Sequence, residues 1–302
     1  MHFSLATISV NGESLPSLEV DGNHYRLRQI CPDLFPSANS GLIDLFADWA
    51  TSFERLSEVA SRIEDHAAAN INTSAMSYLT PLQFPKKLIL AGANYYEHMI
   101  KDAGKPDFKK ADGMPVYFLK PPSTSLVGCG PTVIYPRFVK QLDWEIELAI
   151  VIGKTLKDAN EAEAIGAIAA YTIGLDMSAR DWQFNQRHPW KFDLFTGKAF
   201  DTSCPLGPRL VPAEFVDPAN LRLQLRVNGQ VKQDARSSDM IWSVGEQIAV
   251  LSEYITLEPG DVLLTGTPAG VGLASGEYLQ PGDRIEAEIE GLGTLDVQIT
   301  KS

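Results

Sequence analysis

The sequence predicts a strand-rich α+β protein, with a small amino-terminal α+β domain (residues 1–82) followed by a larger β-rich domain (residues 83–302). Three observations lead there. Short runs of β-branched and apolar residues dominate from Lys86 onward. Only two well-marked helix starts interrupt those runs. The prolines of Leu79-Thr-Pro-Leu-Gln-Phe-Pro85 cannot continue a helix, so this stretch reads as an extended linker between the two parts. The regular strand–helix alternation of a doubly wound sheet is missing, and no internal repeat is visible.

The elements follow in order. Phe3–Val10 and Ser17–Val20 read as strands around Asn11-Gly12 and Asp21-Gly22, dipeptides that tolerate the positive φ of tight hairpin turns. Leu42, Phe46, Trp49, Phe53, Leu56, Ala60 and Ile63 recur at three- and four-residue spacing, which places them on one apolar helix face that belongs to the core. Beyond the linker, strands are predicted at Leu88–Ala91, Val116–Leu119, Glu145–Ile152, Tyr171–Asp176, Leu221–Val227, Val262–Thr265 and Ile285–Ile289. The alternation of Leu221, Leu223, Leu225 and Val227 up to Asn228-Gly229 marks a half-buried strand entering a hairpin. Asn160 with Glu163, and Ser243 with Glu246, have the spacing of reciprocal capping pairs that open helices.

Composition narrows the function. The 302 residues carry 26 Lys+Arg against 38 Asp+Glu, a formal charge of -12, which leaves no basic footprint for nucleic acid. Hydrophobic residues at 44% and charged residues at 21% exclude wholesale disorder. No apolar run reaches about 18 residues, and Met1–Val10 lacks a basic stretch leading into an apolar one. Neither membrane spanning nor secretion is therefore expected, and small molecules in a reducing cytoplasm are the expected setting. Cys31, Cys129 and Cys204 are odd in number and unpatterned, and read as small buried hydrophobes.

The chemistry concentrates in a few segments. In Asp143-Trp-Glu-Ile-Glu, a strand would put Glu145 and Glu147 side by side on one face, either as screened surface carboxylates or as oxygen ligands for a hard divalent cation. In Leu175-Asp-Met-Ser-Ala-Arg-Asp-Trp-Gln183, Asp176 ends an apolar strand, either as a turn or cap residue or as a carboxylate set beside the neutral and cationic donors Ser178, Arg180 and Gln183. Lys198 lies between Gly197 and two phenylalanines, either partly desolvated or reaching to water. Leu263-Leu-Thr-Gly-Thr-Pro-Ala-Gly-Val-Gly272 follows an apolar strand but matches neither the phosphate-loop nor the dinucleotide fingerprint. Gly-x-Ser-x-Gly and His-Glu-x-x-His are also missing.

Together with Ala91-Gly-Ala-Asn-Tyr-Tyr-Glu-His98 and Tyr117-Phe-Leu-Lys-Pro-Pro122, these segments resemble the fumarylacetoacetate hydrolase family over about residues 86–302. The resemblance implies the mixed β-sandwich roll of that family's carboxy-terminal domain, preceded by an additional amino-terminal domain. It assigns a Mg²⁺ or Mn²⁺ ion to Glu145, Glu147 and Asp176. Substrate contacts fall to Arg180, Gln183, Thr267 and Lys120, and catalysis to Lys198 and His98. His98 is otherwise a solvated loop histidine. The carboxylate partner of that histidine lies three residues later in many members. Here Lys101 holds that place, and Asp102 takes the role if the segment becomes helical. The implied activity is metal-dependent hydrolysis of a carbon–carbon bond in an acylpyruvate or other β-diketo acid, within aromatic or sugar-acid catabolism. Decarboxylation, isomerisation or hydration of a 2-oxo acid is the alternative. A homodimer is the assembly the resemblance implies.

Overall fold

The computed structural model describes residues 1–301. The chain opens with β1 (Ser4–Val10), β2 (Glu13–Val20) and β3 (Asn23–Arg26), an antiparallel meander. Its two turns are those the sequence predicts, with φ of 51° and 82° at Asn11 and Gly12 and 48° and 76° at Asp21 and Gly22. After α1 (Leu27–Ile30), the predicted long helix is divided into a 3-10 stretch, Leu42–Asp48, and α2 (Trp49–Ser61). The division falls at Asp48, whose carboxylate accepts the Thr51 N–H at 3.2 Å and so caps a new helix inside the periodic pattern. The apolar face survives the break: Leu42, Phe46, Trp49, Leu56, Ala60 and Ile63 are buried. β4 (Met76–Tyr78) returns to pair with β1.

The middle of the chain supplies β5 (Leu88–Gly92), β6 (Val116–Leu119), β7 (Leu126–Val127), β8 (Gly130–Tyr135), β9 (Leu142–Asp143) and β10 (Ile146–Ile152). Next come α3 (Glu161–Ile165), β11 (Ile168–Leu175), β12 (Ser178–Ala179), α4 (Arg180–Gln183), α5 (Leu194–Lys198) and β13 (Cys204–Pro212). The last third holds β14 (Arg222–Val227), β15 (Gln230–Arg236), α6 (Val244–Tyr254), β16 (Val262–Leu264), α7 (Gly272–Ser275), β17 (Arg284–Ile289) and β18 (Gly293–Lys301). Both predicted capping pairs form. Asn160 and Glu163 exchange side-chain-to-backbone bonds at the start of α3, and Ser243 and Glu246 do so at α6.

These strands build the strand-rich α+β architecture the sequence predicts. One large sheet runs β3-β2-β1-β13-β11-β10-β16-β5-β6, with β4 on β1 and β7 on β13, and a second runs β15-β14-β17-β18-β8. β10 lies inside the first sheet, antiparallel to β11 (Ile146 opposite Leu175) and to β16 (Ala149 opposite Leu264). Ile146, Leu148, Ile150 and Ile152 share a core with Leu223, Leu225, Ile285 and Val297 of the second sheet. Ala149 and Val151 face the other way, into a core with Leu5, Phe46 and Leu56. A strand covered on both faces has no solvated side, so the reading of Glu145 and Glu147 as screened surface carboxylates is excluded.

The sheet and this second core are continuous across residue 82. Leu5 of β1 pairs with Leu210 of β13, and Leu82 is fully buried among residues from both sides. The proline segment is packed, with Thr7 Oγ1 donating to Pro81 O at 2.9 Å. No helix among the described residues is long and apolar enough to cross a membrane. Burial pushes the Cys31 and Cys204 thiols up to about 11 and about 12, as inert core thiols require, while Cys129 is only partly covered.

Candidate active site

Three carboxylates meet where β10 enters and β11 leaves the large sheet. Glu145 immediately precedes β10, Glu147 is two residues on, and Asp176 follows the last residue of β11. The Asp176 N–H donates to Glu145 O at 2.9 Å, which locks the strand ends in register. One oxygen from each carboxylate lies within 4.8 Å of the others, and all three residues are buried. Two like charges about 4 Å apart repel by roughly 4 kcal/mol at an effective dielectric constant near 20, so the cluster needs cations.

The chain supplies part of that charge. Lys198, the last residue of α5, donates to Glu145 Oε2 at 2.7 Å and to Asp176 Oδ2 at 2.5 Å. Gly197 brings it there, since a Cβ at that position would lie 2.5 Å from the Gln183 Cβ and push α5 away from α4. Arg180, the first residue of α4, donates from Nη2 to Glu145, from Nη1 to Gln183 Oε1 at 2.9 Å, and from Nε to Asp143 Oδ2 at 2.8 Å. Asp143 is fully buried and also accepts the N–H groups of Gly272 and Leu273, so it holds Arg180 and the start of α7 together.

The three carboxyl groups consequently differ. Burial raises the Glu145 pKa, but the charges of Lys198 and Arg180 outweigh it and bring the group down to about 2. Burial raises Asp176, and the ammonium groups of Lys120 and Lys198 only partly offset this. Glu147 is raised well above the usual carboxylate range by burial and by the charges of Asp176 and Glu145. Among the described residues its carboxylate accepts one hydrogen bond, from the Gly266 N–H at 2.7 Å. Lys198 stays protonated, because Asp176 and Glu145 overcome the effect of its burial. The donor set fits a hard divalent ion. It is all oxygen, and among the described residues Glu147 has no cationic side chain bonded to it.

Lys120 is placed differently from its expected role. Its ammonium lies 2.7 Å from Asp176 Oδ1, but its well-formed hydrogen bonds go to Met177 O and Ser203 O, and the side chain is fully buried behind Asp176. It does not line the cavity; its charge steadies the carboxylate cluster from behind.

A cavity of about 530 Å³ opens in front of the carboxylates. Glu145, Glu147, Asp176, Arg180, Gln183, Lys198 and Thr267 line it, as do His98 and Asp102. His98–Asp102 forms a single π-helical turn, closed by the Ala103 N–H donating to His98 O at 3.0 Å. His98 Nδ1 and Asp102 Oδ2 are 2.7 Å apart, and the same oxygen accepts the Gly270 N–H at 3.1 Å. Lys101 points out of the site to an exposed pair with Glu97. Met99 packs on Ile241 and Trp242, and Asn94 hydrogen-bonds Trp242 and Thr265, so the turn is seated on the segment before α6 and on the residue after β16.

The structure thus gathers every predicted site residue except Lys120 around one cavity. Sequence reasoning missed Asp143 and Gln233. Asp143 had a signal, an acidic residue between Leu142 and Trp144 two positions before Glu145. Gln233 had none, because it sits in a mostly polar edge strand.

Residues 87–300 match the family model described as fumarylacetoacetate (FAA) hydrolase C-terminal. The chain is 40% identical over 226 residues to the human mitochondrial oxaloacetate tautomerase FAHD2A, covering 74% of this chain and 69% of that protein. Among solved structures it is similar to a fumarylacetoacetate hydrolase from Exiguobacterium antarcticum, with 31% identity, a TM-score of 0.80, and 99% and 100% of the two chains covered. It is also similar to fumarylpyruvate hydrolase from Pseudomonas aeruginosa in complex with Mn²⁺ and pyruvate, with 32% identity, a TM-score of 0.64, and 75% and 92% covered.

Proposed function

The chain belongs to the fumarylacetoacetate hydrolase family, a family of enzymes, and from that premise we propose that it hydrolyses a carbon–carbon bond in an acylpyruvate or related β-diketo acid. The observation that carries this reading is the His98–Asp102 pair, which shares one cavity with the Glu145, Glu147 and Asp176 cluster. A Mg²⁺ or Mn²⁺ ion held by those three carboxylates would polarise the oxygens of the 2-oxo acid end.

His98 has Nδ1 committed to Asp102, which leaves Nε2 to take a proton from water. Addition of that water to the distal carbonyl and breakage of the bond between C3 and C4 leave an electron pair on C3. The imidazolium returns the proton to C3, giving pyruvate and a carboxylic acid. Gln183 uses Oε1 on Arg180, so its amide N–H groups are its donors to substrate. Lys198, between Glu145 and Asp176, places positive charge beside the oxygens on which negative charge develops. Phe118, Phe184, Phe192 and Leu194 give the cavity an apolar wall, which supports an acyl arm beyond the 2-oxo acid.

The test is a panel of acylpyruvates with and without Mg²⁺ or Mn²⁺, read by loss of diketone absorbance and by NMR of products. Metal-dependent formation of pyruvate plus a second acid is expected, with His98→Gln slower by about 10²–10⁴-fold. Native rates in that variant would remove His98 from the mechanism.

A second reading, tautomerisation of a 2-oxo diacid, is favoured by the 40% identity to the human oxaloacetate tautomerase. It uses the same base but breaks no carbon–carbon bond. Accelerated enol-to-keto conversion of oxaloacetate, with no cleavage of any acylpyruvate, would select it.

A further inference from the structure

Gln233 lies on β15, in the second sheet, and does not line the cavity. Its side chain crosses to the large sheet and is only 1% exposed. Its Oε1 accepts the Ile146 N–H at 3.0 Å, and its Nε2 donates to Thr267 Oγ1 at 2.8 Å and to Pro268 O at 2.7 Å. Ile146 is the residue between Glu145 and Glu147. Thr267 donates its own hydroxyl proton back to Ile146 O at 2.9 Å. The peptide joining the two carboxylate residues is thus held on both sides by one ring of bonds that closes through Gln233.

The same strand grips the loop a second time. Gly270 has a φ of 103°, and a Cβ there would lie 2.1 Å from Lys232 O, so the loop after β16 sits directly on β15. Gly270 is also the residue whose N–H holds Asp102. One strand therefore touches the backbone that aims the carboxylates and the backbone that anchors the His98–Asp102 turn.

We propose that Gln233 is a positioning residue that sets the Glu145–Glu147 pair and the His98–Asp102 pair in one frame. This rests on the hydrolytic reading for its effect on turnover but not for its effect on metal binding. Thr267, its proton already given to Ile146, offers the cavity a lone pair and no free donor.

The experiment compares Gln233→Leu and Gln233→Glu with wild type and with Gln224→Leu, which removes an amide bonded to Asp234 in the same sheet and away from the cavity. Three quantities are measured: Mn²⁺ affinity by calorimetry, and kcat and KM on an acylpyruvate. Gln233→Leu is expected to weaken Mn²⁺ binding by about 10–100-fold and to lower kcat. Gln233→Glu keeps the acceptor for Ile146 but loses both donors, and is expected to hold Mn²⁺ near the native level while kcat falls at unchanged KM. Gln224→Leu leaves all three quantities native. Native Mn²⁺ affinity and kcat in a folded Gln233→Leu protein would overturn the proposal. If that variant does not fold, native kcat in Gln233→Glu overturns it instead. Should wild type cleave no acylpyruvate while Gln233→Leu still weakens Mn²⁺ binding, the functional reading fails and the positioning of the carboxylates stands.

Discussion

Identical residue types take opposite roles here according to what they touch. Glu145 accepts from Lys198 and Arg180 and stays ionised down to about 2, whereas Glu147, two residues on, accepts one backbone N–H and is driven upward by burial and its acidic neighbours. Histidine shows the same contrast. His98 lines the cavity, while His24 is buried in β3 between the Ser17 hydroxyl at 3.1 Å and the Tyr78 hydroxyl at 3.2 Å. Burial lowers its pKa below 6.5, and Arg209 adds to this against the opposing charge of Glu19. A histidine kept neutral by folding gives stability that is complete above its unfolded value and declines as pH falls below it, because the unfolded chain then binds the proton more readily. Denaturant unfolding of wild type and His24→Gln at pH 7.5 and 5.5 is expected to show the steeper loss in wild type, by at most about 1.4 kcal/mol per pH unit. Parallel losses in the two proteins would refute it. Comparing the two removes the contribution of the carboxylates they share.

Among elements, what the sequence made legible is what rests on local pattern. The two positive-φ turns, both capping pairs and the β14 alternation depend on neighbours within four residues, and all form. β13 was not predicted because Pro205, Pro208 and Pro212 argue against a strand; it gains its place by pairing with β1 and β11, contacts distant in sequence. Glu145, Glu147, Asp176 and Lys198 were legible as motif residues. The part played by Gln233 was not, since its partners are more than 30 residues away. The π-turn lies between these cases. Its sequence shows Asp102 four residues after His98, and tertiary contacts decide that they meet. Asp102 both fixes His98 and ties the turn to Gly270, so Asp102→Ala is expected to lower kcat by about 10²-fold or more and to speed proteolysis within residues 103–113, with Mn²⁺ affinity unchanged. A folded variant with native kcat would mean that the turn holds His98 without Asp102.

Across the whole molecule, the cavity floor and the layer beneath it bring together four buried carboxylates, Asp143, Glu145, Glu147 and Asp176, against three buried cations, Lys120, Arg180 and Lys198. The excess negative charge falls on Glu147, the member without a cationic side chain bonded to it. A buried carboxyl in that position opposes folding, and a bound dication reverses its effect, so the site and the stability of the fold are linked. A ligand that binds only the folded state stabilises by about 2.7 kcal/mol at a hundredfold excess over its Kd. Mn²⁺ added to chelator-treated protein is therefore expected to raise Tm by several degrees. Glu147→Gln removes the surplus charge while keeping an acceptor for the Gly266 N–H. The metal-free variant is expected to melt higher than metal-free wild type and to lose the response to Mn²⁺. The two shifts have opposite signs and a common cause, which separates them from a general loss of packing: a variant that merely disturbed the core would melt lower with or without the ion. A wild-type Tm indifferent to millimolar Mn²⁺ would remove the metal from the site, and with it the reason for burying three carboxylates within reach of one another.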